Sequence, residues 1–171
     1  MYTSKTLNNF TNPKNYGKLK NPDGVGKVGN IVCGDVMWLY IKVAKNKLAS
    51  VKPMTYKITE IGFETFGCVA AIATSAEITE LAKGKTLKYA INIKKDDIVK
   101  SLGGLPPIKI HCSILAVDAL AEAIYDYLRK QKQPIPAELE KKHERIDQEK
   151  KIIECKYKDW TDAESQAHNA H

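Results

Sequence analysis

The sequence lacks any long run of apolar residues. No stretch of the 171 residues approaches the roughly 20 consecutive apolar residues that a membrane-spanning helix needs. The opening residues, MYTSKTLNNFTNPKNYG, contain no apolar centre of the kind that defines a secretory signal. We therefore expect a soluble, cytoplasmic protein that does not bind membranes and whose four cysteines stay reduced.

Arginine is scarce over most of the chain. Arg129 is the only arginine among the first 130 residues, and the lysines that give the formal net charge of +7 are scattered without interleaved aromatic residues. A basic balance can indicate nucleic-acid binding, but that function usually needs clustered charge. We expect no nucleic-acid partner and favour a basic face that docks an acidic protein.

Paired cysteine motifs are also missing. The chain has no CxxC, which excludes a zinc-finger knuckle. Cys33, Cys68 and Cys112 lie far apart in sequence, so only folding could bring them together. A single cysteine is commonly just a small buried apolar residue. The neighbouring Gly34 and Gly67, which let backbone approach a ligand closely, favour a binding site instead.

Harder ligands accompany two of these cysteines. Asp35 lies two residues after Cys33, and His111 directly precedes Cys112. Cys112 follows a double proline and opens a stretch with apolar residues at helical spacing, and a helix N-terminus favours a thiolate. Three thiolates and one harder donor suit zinc or an iron–sulfur cluster. Taken alone, Asp35 is also typical of a turn, and His111 of a buried core histidine.

The hydrophobic pattern predicts an α+β fold. The sequence GVGKVG at residues 24–29 matches the dinucleotide fingerprint GxGxxG, but without the flanking strand and helix it predicts only a flexible glycine loop, within a loop over residues 20–30. Strands are predicted at residues 36–43, 48–51 and 56–66, and helices at residues 4–10, 69–82, within 86–102, and after residue 110.

The C-terminal part has a different composition. Two spaced prolines in residues 131–136 indicate a linker, and residues 137–158 are charged and helix-prone. Their apolar residues form one narrow line with a spacing of seven: Leu139, Ile146, Ile153 and Trp160. So narrow a line favours a solvated helix, either lying on the body or fraying, over a contact surface for a second subunit or a partner. Residues 1–130 and 131–171 are thus predicted as a domain and an extension, with no role for Cys155.

Residues 2–130 resemble the IscU/NifU-type iron–sulfur cluster assembly scaffolds, the NifU N-terminal domain family. The resemblance is carried by Asn12-Pro13 with Asn15 and Gly17, CGDVM at residues 33–37, FETFGC at residues 63–68, AIATS at residues 71–75 and LPPIKIHCS at residues 105–113. It implies a small three-stranded antiparallel sheet packed by helices, with the site at one end.

The resemblance also implies what the site does. Cys33, Cys68 and Cys112 would be ligands of a [2Fe–2S] cluster, with Asp35 as the labile fourth ligand and His111 as its alternative. The cluster is built transiently from iron and from the persulfide sulfur of a cysteine desulfurase, with Cys112 as the expected acceptor, and is then passed to apo iron–sulfur proteins. The protein would be a scaffold and carrier without turnover of its own.

Further partners follow from the same resemblance. The run Leu105, Pro106, Pro107, Ile108 and Lys109 resembles the segment that a dedicated heat-shock-type chaperone binds to promote cluster release. An electron donor and a second copy of the chain are further expected partners.

Two other functions stay open at this stage. The first is a zinc-bound, SufU-like sulfur acceptor, although such proteins lack the histidine before the third cysteine and carry an insertion before it, unlike this chain. The second is a cysteine enzyme in which His111 activates Cys112. Residues adjacent at a helix start seldom point at each other, which disfavours the enzyme.

Overall fold

The computed structural model describes residues 1–30, 34–44 and 53–168, with side chains up to residue 152. Cys33 and the strand predicted at residues 48–51 lie outside the described residues. Within the described ranges, no helix combines the length and the apolar character that crossing a bilayer requires.

A three-stranded antiparallel sheet forms the centre of the fold. Its strands are β1 (Gly24–Gly29), β2 (Val36–Val43) and β3 (Ile58–Phe66), in that order across the sheet. The alternation in β2 directs Met37, Leu39 and Ile41 into the core, where each is fully buried. With the helices packed against it, the sheet confirms the predicted α+β class and the three-stranded antiparallel architecture.

The strand β1 corrects the predicted glycine loop. Gly24 and Gly26 lie on the face that packs against a helix. A Cβ atom on Gly24 would lie 2.2 Å from the carbonyl oxygen of Ala123, and one on Gly26 would lie 2.0 Å from that of Ala119. These glycines therefore serve close packing between a strand and a helix, and the expectation of a flexible loop is wrong.

The helices match the predicted pattern closely. The N-cap of the first helix is Thr3, whose hydroxyl accepts a hydrogen bond from the Thr6 N–H at 3.1 Å. The region 86–102 forms two short helices, and Gly103 and Gly104, both with positive φ, follow the second. The helices are α1 (Ser4–Thr11), α2 (Val69–Ala82), α3 (Leu87–Ala90), α4 (Lys95–Ser101), α5 (Ile110–Lys130) and α6 (Ala137–His168), with 3-10 turns at Pro53–Thr55 and Pro107–Lys109.

One core joins these elements. Helix α5 packs on β1 and β2, while α2 packs on β3 and on α5. Large buried side chains fill the space between them, including Phe63, Ile78, Leu120 and Tyr127. Helix α6 lies on the outside of α5, as the sequence pattern favoured, and the first half of its apolar line enters the same core.

Candidate metal centre

Two helix starts bring two cysteines together. Cys68 is the N-cap residue of α2, and Cys112 is the third residue of α5. Their Sγ atoms lie 4.0 Å apart. The small side chains of Ala70 and Ala71, fully buried against Cys112, allow the two helix ends to approach this closely. Cys112 is only 1% exposed, whereas Cys68 is partly exposed.

A hydrogen bond fixes the geometry of this pair. The Thr74 hydroxyl on α2 lies 3.1 Å from the carbonyl oxygens of both Cys112 and Ala71 and shares its one proton between them. The Thr74 side chain is itself buried, so the bond is shielded from water. The positions of Cys68 and Cys112 thus depend on a rigid contact between two helices.

Asp35 places a carboxylate beside the cysteines. It directly precedes β2, is 5% exposed, and its Oδ2 atom lies 3.8 Å from the Sγ atom of Cys112. A Cβ atom on Gly67 would lie 2.8 Å from Oδ1 of Asp35. The missing side chain of Gly67 therefore provides the space in which the carboxylate sits. Gly34, with a φ of +72°, precedes Asp35.

His111 completes the described cluster of donors. One ligand atom each from Asp35, His111 and Cys112 lies within 4.8 Å of the others. The Nε2 atom of His111 is buried and has no hydrogen-bond partner among the described residues. Leaving a buried polar atom unsatisfied is costly, and coordination of a metal ion would satisfy it. The chemistry of these residues thus fits a metal or a cluster.

Two further residues lie at the edge of the site, next to Cys68. The charge of an ionised Cys68 raises the pKa of Lys109, and a hydrogen bond to the sulfur adds to this effect. The pKa of Tyr2 is also raised, first by burial and then by the charge of Cys68. A protonated Lys109 therefore offers a positive charge to an anionic sulfur at this position.

Four of the five predicted ligands lie within the described residues. The structure brings Asp35, Cys68, His111 and Cys112 together, while Cys33 lies outside the described residues. The predicted chaperone segment runs directly into the site through Lys109. Within it, Pro107 and Ile108 are exposed, the latter at 75%.

Sequence reasoning missed Tyr2 and Thr74 as neighbours of the site, and it placed Lys109 only in the chaperone segment. Nothing near Tyr2 in the sequence signals a role, because it reaches Cys68 only through the fold. Thr74 was noticed as part of the AIATS stretch, but its bond to the Cys112 backbone follows from helix packing alone.

A comparison with known protein families finds a match over most of the chain. The family described as "NifU-like N terminal domain" matches residues 1–134. The chain belongs to this family. The resemblance seen in the cysteine, glycine and proline motifs is therefore confirmed, and the match ends just before α6 begins.

Curated relatives in this NifU-like family share most of the chain. The iron-sulfur cluster assembly scaffold protein IscU 1 of Archaeoglobus fulgidus is 52% identical over 130 residues, covering 76% of this chain and 78% of that protein. The IscU scaffold protein of Aquifex aeolicus is 47% identical over 130 residues, with the same two coverages. That of Haemophilus influenzae is 46% identical over 133 residues, covering 76% of this chain and 98% of its own.

Solved structures support the fold of the NifU-like domain. A putative SUF-system scaffold protein from Fervidobacterium islandicum superposes with a TM-score of 0.56 at 21% identity, covering 72% of this chain and 96% of that one. A NifU-like N-terminal protein from Brucella abortus superposes with a TM-score of 0.55 at 20% identity, covering 75% and 94%. At such identities the likeness concerns the fold alone.

Proposed function

We propose that the protein is a scaffold on which a [2Fe–2S] cluster is assembled from iron and persulfide sulfur and then transferred to apo acceptor proteins. The observation that carries this proposal is the convergence of two thiols, a carboxylate and an imidazole, with Sγ atoms 4.0 Å apart and a carboxylate oxygen 3.8 Å from Cys112. The curated relatives named as assembly scaffolds support it.

The proposed ligands are taken from the donors at the described site and, for Cys33, from the family resemblance. Cys33, Cys68 and Cys112 bind the cluster, and the fourth position is shared by Asp35 and His111. A carboxylate is a harder donor than a thiolate and holds iron of a cluster less firmly. The cargo is therefore held by three sulfur ligands and by one exchangeable ligand, which suits a protein that must release it.

Sulfur arrives by exchange between a desulfurase and the scaffold. The Cys112 thiolate attacks the outer sulfur of the desulfurase persulfide, a new S–S bond forms on Cys112, and the desulfurase cysteine leaves as a thiolate. Reduction of this sulfur to sulfide needs an electron donor, which is accordingly a partner. The positive charge of Lys109 beside Cys68 stabilises anionic sulfur as it enters.

A chaperone partner is proposed because part of the segment 105–109 is exposed to solvent. Residues 105–109 present Pro107 and Ile108 to solvent next to the site, as a chaperone that promotes cluster release would require. Sharing of a cluster between two copies of the chain is part of the same proposal. Zinc is the metal expected to replace the cluster in air. Scaffolding involves no turnover by this protein.

Anaerobic loading tests the function. The protein is incubated with ferrous iron, cysteine, a cysteine desulfurase and a reductant, and iron, acid-labile sulfide and visible charge-transfer absorption are measured. In the wild type, the amount of bound iron should equal the amount of bound sulfide. Cys155→Ser, the matched cysteine control, should bind as much of both as the wild type. Cys68→Ser and Cys112→Ser should lose most of the absorption.

The same measurement distinguishes the scaffold from the zinc-bound sulfur acceptor. Retention of stoichiometric zinc in a colourless protein, with no bound sulfide after loading, would overturn the scaffold. So would equal loading of Cys112→Ser and Cys155→Ser, because the site would then not hold the cargo.

A further inference from the structure

The helix α6, which lies beyond the family match, neutralises two buried carboxylates on α5. Asp118 and Glu122 are 7% and 6% exposed. Arg145 donates to Asp118 at 2.7 Å, and His143 and Lys150 contact Glu122 at 2.8 and 3.1 Å. Their hydrogen-bonding partners within the described part of the chain all come from α6. Buried carboxylates require such partners, so the contact between α5 and α6 is specific.

Arg145 has a second partner that fixes its position. One guanidinium nitrogen contacts Asp118 on α5, and the other contacts Glu149, one turn further along α6, at 2.9 Å. Burial raises the pKa of Asp118, and the hydrogen bond and charge of Arg145 oppose this effect. Ile146, next to Arg145 and 3% exposed, packs into the main core. An apolar anchor and an ionic bridge thus hold the same turn of α6.

This turn of α6 forms one wall of a cavity that reaches the candidate metal centre. The cavity, of about 240 Å³, is bounded by Arg145, Ile146 and Glu149 on α6. Its other walls are the end of β1 and the first turns of α5, including His111. A ligand of the candidate site therefore lines a space whose outer wall is supplied by the extension.

We propose that α6 partly covers the His111 side of the candidate metal centre and that the Arg145 bridge holds this cover in place. Arg145 is a positioning residue, because it contacts Asp118 and Glu149 and acts on the site only through the position of α6. His111 as a whole is already partly exposed. When the bridge is broken, the cavity widens, and solvent and small chelators reach His111 faster. On the proposed scaffold function, on which this consequence rests, the cover slows unproductive loss of the cluster.

Chemical modification of His111 in the metal-free protein tests the cover without using the cluster. Diethylpyrocarbonate is applied at pH 8, where imidazoles are neutral, and modification is followed by mass spectrometry of peptides. In Arg145→Ala, the reagent should modify His111 about five to ten times faster than in the wild type. A change of this size is expected when charge-assisted hydrogen bonds that hold back a local opening are lost. Arg145→Lys should restore part of the protection.

Two further variants make the result interpretable. Lys151→Ala removes an exposed i,i+4 pair with Asp147 on α6 and should leave the rate at His111 unchanged. Asp118→Asn, which keeps a polar partner for Arg145, should raise the rate less than Arg145→Ala and covers the case in which that variant does not fold. Equal rates at His111 in the wild type and in both bridge variants would overturn the proposal.

A cluster measurement separates this proposal from the scaffold function. If loaded protein is exposed to a chelator, the cluster should be lost several-fold faster from Arg145→Ala than from Lys151→Ala. Faster modification of His111 without any cluster formation would contradict the scaffold and support the cover. Normal cluster loading with an unchanged rate of His111 modification would support the scaffold and contradict the cover.

Discussion

Asp35 shows how a single residue sets the character of the site. Its carboxylate is buried next to Cys112, in the space that Gly67 leaves by having no side chain. The carboxylate is close enough to Cys112 to share a metal ion with it, and a carboxylate oxygen is a poorer match for a cluster than a thiolate. On the proposed function, the exchangeable ligand would follow from the residue type as well as from its place.

The substitution Asp35→Ala should convert the site into one that keeps its cluster. Without the exchangeable carboxylate, the bound cluster should persist several-fold longer and pass more slowly to an apo acceptor. The measurement is the decay of visible absorption under anaerobic conditions, together with the rate at which an apo ferredoxin gains its cluster.

Asp96→Ala is the matched control for charge. Asp96 is exposed in the first turn of α4, and its loss removes the same charge away from the site. Transfer kinetics that are identical in Asp35→Ala, Asp96→Ala and the wild type would remove Asp35 from the ligand set.

Residue types alone were enough to predict most of the residues that the structure brings together at the candidate site. Cysteines beside glycine or at a predicted helix start, with Asp35 and His111 within two residues of a cysteine, indicated metal chemistry, and the structure places four of these five residues together. Tyr2 and Thr74 could not be identified in this way, because tyrosine and threonine carry no comparable chemical signal and reach the site only through tertiary packing.

At the scale of elements, the contact between β1 and α5 fixes the position of Cys112 relative to the sheet. Glycine occupies two of the three buried positions of the strand, Gly24 and Gly26, and there the helix backbone lies directly on the strand backbone. Strand prediction relies on β-branched and aromatic residues, and β1 has only two valines. Its identity as a strand depends on a partner that the local sequence does not reveal.

Gly26→Ala should destabilise the fold by about 3 kcal/mol, within the range expected for overpacking a rigid interface. The added methyl group would lie 2.0 Å from the Ala119 carbonyl oxygen and 2.7 Å from the Ala123 nitrogen, both backbone atoms that cannot rotate away. The measurement is urea unfolding of the metal-free, reduced protein, followed by circular dichroism.

Lys27→Ala is the control on the same strand. Lys27 is exposed on the opposite face, near the ring of Trp38. Its replacement should change the free energy of unfolding by less than about 1 kcal/mol. Equal stabilities of Gly26→Ala and Lys27→Ala would show that α5 does not lie as close to β1 as the structure places it.

At the scale of the whole molecule, the extension belongs to the same core as the family domain. The sequence predicted a boundary at residue 130 and, on the following helix, an apolar line that includes Leu139 and Ile146 and was expected to bury little. Both are buried in the main cluster, at 2% and 3% exposure. The spacing of a lone apolar line shows which side of a helix is buried, but not which surface it packs against. The facing surface of α5 includes Asp118 and Glu122, and polar residues of this kind do not mark a buried contact in a sequence.

Ile146→Ala should therefore lower the stability of the entire protein by about 2–4 kcal/mol, the usual cost of removing a large aliphatic side chain from a core. Circular dichroism during urea unfolding should show one transition at a lower midpoint, and hydrogen exchange should rise in α5 and β1 as well as in α6. Ile152→Ala, at a position 56% exposed, should change the free energy of unfolding by less than about 0.5 kcal/mol. If exchange rises only in α6 while the midpoint stays constant, the extension is an independent unit, and the shared core that joins it to α5 does not contribute to stability.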